Sequence, residues 1–234
     1  SSAASDVYKR QTYPASSTIN VRNNLFKVVN GYALYSANLY SNAALTQNDY
    51  NLYYSGSATT LNYLNGTTYS PSNFIAYKNA LYPGSDMSSV SAPVNFTSPT
   101  NFMPVVNDTM SWALNGRGSQ VYNIVNDIAG NFRSSDVTTG APDIGAYEFT
   151  PTVFPPRAVA NTAPAYSTTQ VYTSFGDTVA TVTWGASGVV PTSFDLRYYS
   201  GTNPPASSGF AVNNCYWNFV PNGGTVYYYD LSLR

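Results

Sequence analysis

Ile19-Asn20-Val21-Arg22-Asn23-Asn24-Leu25-Phe26 sets two apolar residues at alternate positions, then an Asn-Asn pair, then a second apolar step. Alternation with period two marks a strand with one buried face, so Ile19 and Val21 are expected to point inward and Asn23 and Asn24 to take a corner. Asparagine suits a corner because it tolerates a left-handed backbone and carries an amide that can bond a neighbouring strand. Tyr32-Ala33-Leu34-Tyr35 and the run from Leu45 to Tyr54 repeat the arrangement. Short strands with Asn-rich corners can stack as rungs of a parallel β-helix or run as a β-meander, and the period leaves both open.

Composition agrees with an all-β chain long enough to bury real cores. Its 234 residues are 43% hydrophobic, and Tyr (22), Gly (16) and Pro (15) punctuate short Thr- and Val-bearing runs. Only 9% of residues are charged, against roughly 25% in an average soluble domain. Hydroxyls and amides therefore supply the polar surface. A net charge of −1 gives no field to attract phosphate backbones, so nucleic acid is not an expected partner. No apolar run approaches the roughly 20 residues that span a bilayer.

Further along, Asn65 to Tyr82 fits no rung and is expected to hold a short helix, with Ser72 as its cap before Phe74-Ile75-Ala76-Tyr77. Pro151, Pro155, Pro156 and Pro164 stand among small residues, a composition that reads as a linker over 151–165. Beyond it, Ala180, Val182 and Trp184 share one face. Phe194-Asp195-Leu196-Arg197-Tyr198 and the run from Tyr227 to Leu233 alternate as well. One-faced strands between Gly, Pro and Asn turns suggest a partial antiparallel β-sandwich over 166–234. Ser2 to Gln11 resembles translated adapter read-through of a metagenomic reading frame, so residues 1–14 are set aside as an artefact, and Leu233-Arg234 stops after a strand pattern as if cut in mid-domain.

Chemistry is sparse. With no histidine, a Ser-His-Asp triad, a Cys-His pair and His-containing zinc sites are excluded from these residues. Asp49, Asp86, Asp108, Asp127 and Asp136 each sit beside turn-forming residues, where aspartate commonly bonds nearby backbone. No catalytic, cofactor-binding or metal-binding residue is assigned. Cys215 falls on the same strand face as Trp217 and Phe219 and reads as a small buried apolar residue. Asn65-Gly66-Thr67, Asn95-Phe96-Thr97 and Asn107-Asp108-Thr109 match a glycosylation pattern short enough to arise by chance. Tyr32, Tyr35, Tyr53 and Tyr54 are good strand residues, and strand packing is the favoured reading of each; aromatic faces also stack on sugar rings, so a glycan platform of the four is the alternative.

Asn23-Asn24-Leu25-Phe26, Gln47-Asn48-Asp49-Tyr50-Asn51-Leu52-Tyr53 and the stretch from Gly84 to Phe96 resemble the terminal rungs of secreted bacterial right-handed parallel β-helix repeat proteins. Asn126-Asp127-Ile128-Ala129-Gly130-Asn131-Phe132-Arg133 with Ala141-Pro142-Asp143-Ile144-Gly145-Ala146-Tyr147-Glu148-Phe149 is similar to the segment that closes the helix in that family. Ala129 stands where an acid is common there, and Phe132 where proline is. The resemblance implies a β-helix over 15–150 and an extracellular or cell-surface setting. The leading expectation is a non-catalytic structural or adhesive segment, with extracellular polysaccharide or cell-surface glycan as its candidate partner. The competing expectation is a fragment of a polysaccharide lyase or glycoside hydrolase whose active site lies on upstream rungs. Asp127, Arg133, Asp143 and Glu148 are expected to tie the closing turn together, with Arg133 bridging carboxylates.

Overall fold

The computed structural model describes residues 20–36, 47–81, 83–134, 140–205 and 214–234. Residues 1–14, Ile19 and Asp136 lie outside that set, and so do the expectations placed on them. The chain divides into two compact units, Ser1–Pro93 and Val94–Arg234.

In the first unit, β1 (Asn20–Arg22), β2 (Leu25–Val28) and β3 (Leu34–Ser36) each pair in parallel with β4 (Gln47–Asp49), β5 (Leu52–Ser55) and β6 (Asn62–Leu64) respectively. Leu25 faces Leu52 and Phe26 faces Tyr53, so like side chains stack from layer to layer. A meander pairs consecutive strands antiparallel, and these pairs skip from one layer to the next. A third layer begins where the Asp86 N–H donates to the Asn48 carbonyl (2.6 Å) and the Val90 N–H to that of Asn51 (2.9 Å).

The corner behaves as asparagine chemistry requires. Asn23 and Tyr50 occupy equivalent positions with φ of 58° and 57°. Beside them, the Asn24 N–H and Nδ2 both donate to Asn51 Oδ1 (3.0 and 3.2 Å), and the Asn51 N–H donates to Ser89 Oγ (2.9 Å). One polar side chain per layer thus satisfies the backbone of the layer below it, which keeps a bend free of orphaned donors. Val21 is half-buried.

After β6 the chain reverses through Asn65-Gly66, with φ of 52° and 85°, into β7 (Thr67–Tyr69), which pairs antiparallel with β6. Two left-handed residues in succession make the tight turn that matches strand twist, so this Asn-Gly pair is a hairpin signal. The stretch expected to hold a short helix does hold one, and it begins with a strand. Its helix, α1 (Phe74–Ala80), follows a 3-10 turn at Pro71–Asn73. The cap position is Asn73, not Ser72, whose hydroxyl pairs with that of Ser70 (2.8 Å). Phe74 and Tyr77 of α1 close an apolar core with Tyr53 and Leu61.

In the second unit, β8 (Val159–Ala160), β9 (Thr169–Ser174), β10 (Asp177–Trp184) and β13 (Tyr229–Leu233) form an antiparallel sheet in the order β13-β10-β9-β8. β11 (Ser193–Ser200) and β12 (Cys215–Asn222) form an antiparallel pair. Tyr172, Val179, Val182 and Trp184 from the first sheet share one core with Phe194 and Leu196 of β11. β9 and β10 are joined by Phe175-Gly176, again with two positive φ values (56° and 78°).

The proline-rich stretch over 151–165 lies within the second unit. Pro151 and Pro155 are buried, the Thr152 N–H donates to Val106 O (2.8 Å), the Ala158 N–H donates to Leu196 O (2.8 Å), and Arg197 Nη1 bonds Pro155 O. Residues 94–149 are mostly irregular and belong with the strands that follow. Trp112 meets Tyr199 edge to face at 5.5 Å, and the Arg117 guanidinium lies 4.9 Å from the Tyr198 ring and donates to Ser174 Oγ (2.9 Å). Gly116 (φ 57°) makes this approach possible, because a Cβ there would lie 2.1 Å from the Gly201 nitrogen.

Candidate functional site

β3 and β6 run in parallel with Tyr35 opposite Tyr63, and period two turns both rings outward while Ser36, Asn62 and Leu64 are buried. The two rings stack with centroids 4.5 Å apart and planes 4° from parallel, close to the interstrand spacing itself. Tyr32, just before β3, leans against both at 5.7 and 5.6 Å, and its hydroxyl pairs with Thr68 Oγ1 of β7 (3.0 Å). Tyr35 is 56% exposed. Three phenol rings braced against one another, with hydroxyls at their rim, form an aromatic surface held by backbone ladders on either side.

Two of the four tyrosines read as a platform are elsewhere. Tyr53 is wholly buried and stacks on Phe26 at 5.4 Å. Tyr54 is half-buried in register with Lys27, whose ammonium stands 5.6 Å from its ring. Tyr63 takes their place in the surface group. Its signal was the alternation Leu61-Asn62-Tyr63-Leu64 running into Asn65-Gly66, a strand ending in a hairpin turn.

Beneath the first unit's layers lies a buried carboxylate. Asp86 (φ 51°) is inaccessible to solvent and accepts hydrogen bonds from Asn48 Nδ2 (2.7 Å), Ser89 Oγ (2.6 Å), Tyr77 Oη (2.9 Å) and Tyr53 Oη (3.2 Å). Burial pushes its pKa up to about 6 against the pull of the donors from Ser89, Tyr77 and Tyr53, and the nearby Asp49 charge raises it further. The same burial and the Asp86 charge push the Tyr53 and Tyr77 phenols well up. Asp86 thus bonds side chains brought together by folding, whereas Asp49 and Asp108 accept mainly from backbone N–H groups. Asp49 accepts from the N–H groups of Tyr50 (2.8 Å) and Ser88 (2.7 Å), and Asp108 caps the 3-10 turn Thr109–Ala113 by accepting from Met110 (2.9 Å).

In the second unit, Asp127, Arg133, Asp143 and Glu148 do come together. Asp127 accepts from the N–H groups of Ala129, Asn131 and Glu148, each at 2.8 Å. Asp143 accepts from Gly116 (2.6 Å) and Phe149 (2.8 Å), while its own N–H donates to Glu148 (3.1 Å). Arg133 does not bridge Asp127 and Asp143. Its Nε lies 2.9 Å from Glu148 Oε1 but off the N–H direction, a charge contact, and Nη2 donates to Gly145 O (2.8 Å). Burial pushes Asp143 well up, with the Glu148 charge adding to it, and burial raises Glu148 against the pull of Arg133. Asp127 moves the other way, because its backbone donors outweigh desolvation. Asp143 and Glu148 border a hollow of about 290 Å³, yet both carboxylates already bind backbone N–H groups, the geometry of an anchored turn.

Cys215 is half-buried opposite Ser200, and burial pushes its thiol up. Among the described residues no three His, Cys, Asp or Glu side chains converge as metal ligands, and no helix is long and apolar enough to cross a membrane. No protein-family model, curated protein or solved structure matches this chain.

Proposed function

We propose that this chain is a non-catalytic segment of a secreted or cell-surface bacterial protein, and that the Tyr32–Tyr35–Tyr63 surface binds extracellular polysaccharide. The observation that carries the reading is the stacked, solvent-facing Tyr35–Tyr63 pair, braced by Tyr32. A sugar ring lays its apolar C–H face on an aromatic face while hydroxyls and amides at the rim bond its oxygens, and rigid rings lose little entropy on binding. The parallel layers of the first unit fit the last rungs of a right-handed parallel β-helix, a stiff rod able to present such a surface. The strands of the second unit fit a partial β-sandwich acting as a spacer.

Affinity electrophoresis through gels containing soluble neutral or acidic polysaccharides tests this. Retardation by at least one polymer is expected, with at least a tenfold loss of affinity for Tyr35→Ala and for Tyr63→Ala and no change for Tyr54→Ala. Unretarded migration in every gel, or equal retardation of all three variants, would overturn the proposal.

A further inference from the structure

Four asparagines in the chain precede glycine: Asn30-Gly31, Asn65-Gly66, Asn115-Gly116 and Asn222-Gly223. Such a pair can react with itself. The glycine nitrogen attacks the asparagine amide carbon, and no side chain on glycine obstructs the five-membered ring that forms. By sequence the four are equivalent, and what separates them is how the fold holds the two reacting groups.

At Asn115-Gly116 both groups are tied elsewhere. Asn115 is buried and its Nδ2 donates to Ser200 O (2.5 Å), while the Gly116 N–H donates to Asp143 Oδ1 (2.6 Å). Attack there requires two buried hydrogen bonds to break. At Asn30-Gly31 the arrangement is reversed, since the Gly31 N–H donates to Asn30 Oδ1 itself (3.0 Å). Oδ1 is bonded to Cγ at about 1.2 Å, so this contact holds the nitrogen beside the carbon it attacks and polarises the carbonyl. Among the described residues nothing accepts from Asn30 Nδ2, the group that must leave, and no such contact holds Gly66 or Gly223 against the amide before it. The second layer fixes the chain that follows. Gly31 O accepts from Ser55 Oγ (2.8 Å) and Thr60 Oγ1 (3.2 Å), and the Ala33 N–H donates to Leu61 O (2.7 Å).

We infer that Asn30-Gly31 is a self-modifying site, at which the folded chain converts with time to a mixture of aspartate and isoaspartate. The Gly31 nitrogen gives up its proton and bonds Asn30 Cγ. The Cγ–Nδ2 bond breaks, and Nδ2 leaves as ammonia with that proton. Water then opens the cyclic imide at one of its two C–N bonds. Opening at Cγ gives aspartate, and opening at the main-chain carbonyl gives isoaspartate. The second product adds one carbon to the main chain ahead of Gly31 and places a carboxylate where a neutral amide stood. Gly31 O then no longer matches its two hydroxyl donors. Tyr32 lies between the Gly31 and Ala33 anchors, so the reaction loosens the corner from which its ring braces Tyr35 and Tyr63, whatever that surface binds.

Peptide mapping by electron-transfer mass spectrometry tests this on the 234-residue chain after incubation in neutral to mildly alkaline buffer. In the folded chain Asn30 should react fastest of the four and at least about tenfold faster than Asn115. Its rate should rise with pH, because the attacking nitrogen must lose its proton. In urea, where the contacts are gone, the four rates should converge. Isoaspartyl methyltransferase should label the incubated chain at residue 30, and in that product the Ala33 amide should exchange at least about tenfold faster. Asn30→Gln cannot close the five-membered ring and should keep Ala33 protected through the same incubation. A folded chain in which Asn30 reacts no faster than Asn65 and Asn222, or an order of rates that persists in urea, overturns the assignment of the site. Unchanged Ala33 protection in the isoaspartate product overturns its effect on the Tyr32 corner. The rates are read on the unsubstituted chain, so they decide the matter even where Asn30→Gln fails to fold.

Discussion

Neutralising Asp86 should change how the first unit responds to pH. Its carboxyl has a pKa of about 6 in the folded chain against an ordinary value of 3.8, because burial penalises the charged form more than its hydrogen bonds favour it. A raised pKa means that the folded state binds the proton more tightly than the unfolded state. Stability therefore falls as pH rises from below about 3, where both states are protonated, to above about 7, where both are ionised. A displacement of about two units at about 1.36 kcal/mol per unit makes that loss about 3 kcal/mol. The group is solvent-inaccessible, so screening does not dilute the effect. Amide exchange of Val90 and Tyr53, whose N–H groups bond Asn51 and Val90 carbonyls across layers, isolates this unit. Fluorescence would not, because Trp112, Trp184 and Trp217 all belong to the other one. Protection factors, corrected for intrinsic exchange, should drop about a hundredfold between pH 4 and pH 7. In Asp86→Asn, where hydroxyls and an amide can reorient around a neutral group, they should stay level. Parallel slopes in the two proteins, or a wild-type chain that gains protection over this window, would refute the reasoning.

Arg133→Ala should cost about 3 kcal/mol, since Arg133 and Glu148 are mostly buried and removing the cation leaves carboxylates desolvated without a counter-charge. Calorimetry with and without calcium checks it, and a large calcium-dependent rise in the midpoint would show that the acids hold a metal. Gly66→Ala should cost about 1 kcal/mol, because the site has open space and only the left-handed φ of 85° resists a side chain. Gly116→Ala should cost about 3 kcal/mol or more, since its Cβ would collide with Gly201 backbone. Equal melting points for the two glycine variants would contradict the close approach at Gly116.

Where side chains answered to their own strand, the sequence was legible. The Ala180-Val182-Trp184 face, the strand at Phe194–Tyr198 and the Asn23–Asn24 corner all follow from period and backbone preference, which are local. Which layer lies against which is not local, and that is why period alone could not sort the tyrosines that pack from those that face out: Tyr53 packs, as favoured, while Tyr63, which was not singled out, joins the surface group. Both alternate correctly, but Tyr53 looks inward because Phe26 and Phe74 meet it there, and those partners come from other layers. In the proline-rich stretch the bonding is likewise set by distant chain. Proline removes an N–H without preventing a carbonyl or a neighbour from bonding, so Pro155 O and Ala158 N–H still join the second unit. Asp86 illustrates the limit most clearly, since its four donors lie between 3 and 38 residues away along the chain.

The amide series Asn24–Asn51–Ser89 acts as a counting device for growth of the stack. Each asparagine has two arms, one for the layer it sits in and one for its neighbour, so a slip of a single residue unmatches every step at once. Lengthening by gene duplication is then tolerated only in whole periods, inserted between two asparagines. Ser89 ends the series differently: its oxygen accepts from the Asn51 N–H, its one proton goes to the Asp86 carboxylate, and its own N–H returns to the Asp86 carbonyl. One hydroxyl therefore fastens the third layer to the second and hands its proton to the buried carboxylate, so the ionisation of Asp86 bears directly on the seam between layers.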